Sequence, residues 1–167
     1  MKSPAPVLTC EDLLAYNREE FRRWQRWFQE NPAALGVTFE IAGGKTALEL
    51  LRHITVVDLR YSERLLDQSI TAWEAAPMGP AQELFAIGER AFANLETFLK
   101  RASHEQWSEV ITFPTRSLGT LKGSRRKIFL HTLLHAMRHW AQMATALRSA
   151  GHAQDWQHDF LFTEVME

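Results

Sequence analysis

Apolar residues recur every three or four positions along four long stretches of this 167-residue chain. That is the period of helices with one buried face. The first stretch covers 10–30, where Leu13, Leu14, Asn17, Phe21, Trp24 and Phe28 trace a single face. Thr9 and Asp12 stand at capping-box spacing before it, and Asn31-Pro32 supplies its stop. The second is expected from about 47 to 68, after a break at Gly43-Gly44. Its stripe is Leu50, Ile54, Val57, Tyr61 and Leu65, and Thr46 with Glu49 forms a second capping box. The third runs from about 80 to 102, with Pro80 suited to a first turn and Leu84, Ile87, Ala91, Leu95 and Phe98 repeating. Gly88 lies within it, where a glycine costs about 1 kcal/mol against alanine and implies close packing. The fourth covers about 127 to 150 and ends at Gly151, a C-cap residue.

Other segments depart from the helical period. Residues 37–41 (VTFEI) alternate apolar and polar, and 110–113 (VITF) are β-rich before Pro114. These two are expected to pair as a small ribbon beside the bundle. Residues 115–126, rich in Gly, Ser, Lys and Arg, read as an exposed loop. Residues 155–162 (DWQHDFLF) suggest a short closing helix. Four long helices with medium connections define an all-α four-helix bundle, expected as one domain over 1–167.

Composition narrows the function classes. Hydrophobic content of 46%, charged content of 23% and a net charge of -1 are those of a soluble globular protein. They give no electrostatic reason to expect nucleic acid or an anionic membrane as partner. Cys10 is the only cysteine, which excludes an intrachain disulfide and a cysteine-based zinc site. No apolar run reaches the ~18 residues of a membrane span, and the N-terminus lacks a signal-peptide apolar region. A cytoplasmic protein is expected.

Candidate chemistry sits on the fourth stretch. His131, His135 and His139 stand four apart, so consecutive members share a face of the helix. With Ile128 at zero and ~100° per residue, His135 falls near ~340° and His139 near ~20°, beside Ala146 and Met143. His131 falls near ~300°, toward Arg138 and Lys127. All three cannot share one ion, because His131 and His139 are ~12 Å apart along the axis. His135 with His139 is the better pair, and His131 belongs to a pocket rim or to solvent. His53 supplies a third imidazole, being the only histidine on another long helix and lying at its inner edge. A lone inward histidine is more often a hydrogen-bonded core residue, but an i, i+4 pair changes the balance. Three imidazoles with open positions describe a catalytic type of metal site and suit zinc, nickel, copper or iron. Gln142, three after His139, is placed to orient that ligand or to touch substrate. His104, His152 and His158 fall in expected loops or ends and read as solvated.

The run His131-Thr-Leu-Leu-His135-Ala-Met-Arg-His139-Trp-Ala-Gln142 resembles the signature of the DinB/YfiT-like family of metal-binding four-helix bundles. Leu50-Leu-Arg-His53-Ile-Thr-Val-Val-Asp58 is similar to that family's other ligand helix, and Asp155-Trp-Gln-His-Asp159 to its end. The resemblance implies a divalent metal, nickel or zinc, held by His53, His135 and His139, with Gln142, His131 and Asp58 as supporting or pocket residues. It also implies a homodimer. Family members include transferases and isomerases that use mycothiol, bacillithiol or glutathione. Where the family has His-His-Arg-Gly-Gln, this chain has Arg138-His139-Trp140-Ala141-Gln142.

Three functions follow as alternatives. The first is a metal-dependent S-transferase or hydrolase acting on a small molecule, where the ion activates a thiol or water. The second is a non-catalytic metal or small-ligand binding protein or sensor, favoured by the altered stretch after His139. The third is a bundle whose histidines make ordinary hydrogen bonds.

Overall fold

The computed structural model describes residues 7–41, 44–115 and 119–166. Gly43, and residues 116–118 of the expected loop, lie outside them. Helix α1 spans Cys10–Glu30 and is closed by the capping box foreseen. The Thr9 hydroxyl accepts from the Asp12 amide, and the Asp12 carboxylate accepts from the Thr9 amide. Helix α2 spans Ala47–Leu65, α3 spans Ala81–Arg101, and the longest, α5, spans Arg125–Ser149. A short helix α4, His104–Ser108, follows α3. At the start of α2 only half of the second capping box forms. The Thr46 hydroxyl accepts from Glu49, but the Glu49 carboxylate takes the Lys45 amide instead of that of Thr46. Beyond α5, Gly151 has φ +86°, the left-handed conformation in which a Cβ is unfavourable.

Side-chain pairs give the helix directions. Arg18 of α1 reaches Glu89 and Glu96 of α3, and Phe28 meets Phe85 while Phe21 meets Phe85 and Phe92, so α1 and α3 are antiparallel. Thr55 of α2 lies at Gly88 of α3, and Ser62 accepts from Asn94, so α2 and α3 run the same way. Arg125 at the start of α5 donates to the Leu65 carbonyl at the end of α2, so these two oppose. The bundle is therefore up-down-down-up. A parallel α2–α3 pair requires a connection that travels the length of the helix, and residues 66–80 do so. They are pinned to α2 where Arg60 donates to the Thr71 carbonyl and Arg52 to those of Trp73 and Ala76.

Aromatic rings fill the core. Trp24, Trp140, Phe28, Phe85 and Phe129 have essentially no exposure, and each such side chain contributes about 1.5–3 kcal/mol by leaving water. The close packing expected at Gly88 is present: a Cβ there would sit 2.4 Å from Phe21 Cε2.

The β segments pair differently from expectation. Strand β1 (Thr38–Ile41) pairs with β2 (Gly44–Thr46), and β3 (Val110–Pro114) with β4 (Thr120–Ser124), both antiparallel. Each β-rich stretch thus folds on its own neighbour, since closing a short loop costs less entropy than joining segments some seventy residues apart. Part of the expected 115–126 loop is therefore strand and helix, and Arg125 is buried. The tail forms only a 3-10 turn at Phe160–Phe162, not a closing helix. It is held by side chains instead. Trp156 and His158 donate to the buried Glu20 carboxylate, and His158 stacks on Trp24. His158 is thus a packed residue and not the solvated group expected, because its partner lies on α1 far away in sequence.

Candidate metal centre

Two antiparallel helices build the site. His53 lies in the first half of α2, and His135 and His139 occupy consecutive turns of α5. Leu50, Ile54, Leu133, Ala136 and Met143 bury the flanking positions of the same helices. That burial fixes the rotation of each helix and turns the three rings toward one another. His53 Nε2 is 3.1 Å from His135 Nε2, which is 3.2 Å from His139 Nε2. One nitrogen from each of the three imidazoles lies within 4.8 Å of the others. His135 and His139 are buried, whereas His53 is partly exposed and marks the open side.

Burial and nearby charges favour the neutral form of His135 and His139. Burial, followed by the neighbouring histidines and Arg138, holds the His135 pKa down to about 2. Burial and Arg138 lower that of His139, against a smaller opposing effect of Gln142. The Gln142 side-chain oxygen lies 2.8 Å from His139 Nδ1 and accepts its proton. That leaves His139 Nε2 as a lone pair aimed at the cluster. His135 Nε2 faces two nitrogens at once, and a single proton on it can satisfy only one. At least one lone pair therefore points at another nitrogen, an arrangement that a cation relieves. Three imidazoles fit a divalent ion of the borderline class.

Each ring also has a neighbour at the rim. Trp73, from the α2–α3 connection, is 6.1 Å from the His53 ring, and the Arg52 guanidinium lies over Trp73 at 4.7 Å. His131 is exposed, 5.7 Å from the His135 ring and edge-on to Tyr61 at 5.3 Å. Arg138 is exposed and brings one nitrogen to 3.3 Å from His139 Nε2. Asp58 behaves differently. Five residues past His53 it is turned ~140° around the helix. Its carboxyl is buried with one oxygen unpartnered, its pKa is pushed well up by that burial, and no hydrogen bond joins it to the imidazoles among the described residues. Sequence reasoning noted Arg138 only as part of a cationic side of the helix. Trp73 escaped it, because a residue in a connection carries no periodic signal.

A four-helix bundle with a histidine cluster shared by its second and last long helices is the class that fold and site define. Residues 2–167 match the model of the DinB family, and the chain belongs to that family. No curated protein matches the chain. Among the described residues, no helix is long and apolar enough to cross a membrane.

Proposed function

We propose that His53, His135 and His139 hold a divalent ion, nickel or zinc, and that the protein transfers a low-molecular-weight thiol to an electrophilic small molecule. The reading rests on one observation: imidazole nitrogens from two helices lie within 4.8 Å of each other. A divalent ion so bound is a Lewis acid that lowers the pKa of a thiol or a water molecule. The chain's own groups do the rest. Gln142 retains the His139 proton on Nδ1, the surrounding core excludes water from His135, and the partly exposed His53 side admits the ligand. His131, Trp73 and Tyr61 border that entrance, and Asp58 acts at most through the packing of α2.

The sulfur is supplied by a cosubstrate in this reading. Cys10 sits at the start of α1 with its thiol pKa raised by burial and by Glu11. Its electrostatic neighbour on α5 is Arg126, and nine residues of helix, about 13 Å, separate Arg126 from His135. The protein in this proposal is a cytoplasmic homodimer built from one domain over 1–167. A second reading, a metal-binding or sensing protein without turnover, is favoured by Trp140. The family's stretch after the last histidine is altered here, and this indole is buried against Trp24.

Elemental analysis of protein purified without an affinity tag, followed by thiol-conjugation assays on metal-loaded and chelated samples, tests both readings. One ion per chain and turnover only when loaded are expected. Full occupancy without turnover by any of mycothiol, bacillithiol or glutathione favours the binding protein. Absence of stoichiometric metal removes both.

A further inference from the structure

The surroundings of Arg138 identify the charge of the ligand. Several arginines of the bundle satisfy their guanidinium groups within the protein. Arg18, Arg23 and Arg125 meet carboxylates, and Arg52 and Arg60 meet backbone carbonyls. Arg138 has no ion pair among the described residues, and α5 contains no aspartate or glutamate to offer one at the next turn. Its recorded contact is His139 Nε2, at 3.3 Å. That nitrogen is the one the proposed ion would use. A guanidinium and a metal ion cannot share one lone pair, so an occupied site frees the exposed Arg138 guanidinium for another acceptor beside the ion. Among the described residues no carboxylate is hydrogen-bonded to His135 or His139. Ion and arginine together place two positive groups at the edge of a partly buried centre, where an anion is favoured.

We propose that the small molecule bound at this centre carries a carboxylate, and that Arg138 binds it while the molecule's reacting end faces the three histidines. A guanidinium receives a carboxylate through two parallel N–H···O bonds, which fixes orientation as well as charge. The inference rests on the metal reading and adds to it the substrate class and a residue that selects it.

Two probes of matched shape, 3-mercaptopropionate and its neutral amide 3-mercaptopropionamide, provide the test. Their affinities for the cobalt(II)-loaded protein are measured by calorimetry, with the visible spectrum reporting metal occupancy separately. The carboxylate is expected to bind about tenfold more tightly than the amide, the worth of a charge-assisted hydrogen bond. R138Q should reduce that preference to about twofold or less and leave amide binding and the cobalt spectrum unchanged, while R138K should keep part of it. Equal affinities in the unaltered protein, or an unchanged preference in R138Q, would overturn the assignment of Arg138 with the metal site still standing. Failure to take up cobalt at all would overturn the metal reading, and this inference with it.

Discussion

His139 and Trp140 are consecutive, yet they belong to two polar clusters of opposite character. Trp140 stacks on Trp24 at 5.5 Å, beside Glu20, Trp156 and His158. There the buried Glu20 carboxylate accepts from Trp24 Nε1 at 2.8 Å, Trp156 Nε1 at 3.1 Å and His158 Nδ1 at 2.5 Å. Opposite demands meet within the chain, and the result fastens the tail to α1. On the other side of α5, His139 joins His53 and His135, where nitrogen faces nitrogen. Both clusters contain histidine, partly buried in the first and buried in the second. A cluster in which one acid meets three donors is a structural fastening, and one left with converging lone pairs is open to a ligand from outside.

The contrast breaks most sharply at His135. Its replacement by alanine should lower metal affinity at least a hundredfold, measured by cobalt titration, with little change in melting temperature. Retained stoichiometric metal would dissolve the distinction. Glu20→Gln should do the reverse. Its side-chain nitrogen would confront one of three N–H donors, costing about 2–3 kcal/mol in chemical denaturation, while metal uptake stays unchanged. Gln142→Ala should weaken the metal about tenfold by freeing the His139 tautomer, a loss that Gln142→Glu should largely restore.

The smallest effect concerns Asp58, a polar group answered by neither cluster. Its folded-state pKa is raised, so between the ordinary carboxylate range near about pH 4 and that raised value the folded protein holds more protons than the unfolded one. Stability contributed by this group is therefore lost as pH rises through that window. Asp58→Asn should flatten the slope and add about 1 kcal/mol near neutral pH, seen in denaturation midpoints across the range. An unchanged slope would show that another group carries it.

These regions also differ in how far they could be read from the chain. The four helices follow from period and punctuation, and α1 ends where its caps predict. His135 and His139 converge because four residues make about one turn, and His53 joins them because α2 buries the neighbouring face. The Glu20 cluster was invisible, since its members Glu20 and His158 are 138 positions apart and no local rule links them. Strand β4 was missed for another reason. Leu121 is the one large apolar residue in Thr120–Ser124, so no alternation announces the strand, and only its register with Val110–Pro114 defines it.

The up-down-down-up order has a kinetic consequence. His53 and His135 stand 82 positions apart, with all of α3 between them. The parallel α2–α3 pair can form from nearer neighbours, whereas the imidazole cluster exists only after α5 has docked across the whole intervening chain. An ion captured there would fasten the last arrival to the earliest part of the bundle, so its grip should slow unfolding more than it hastens folding.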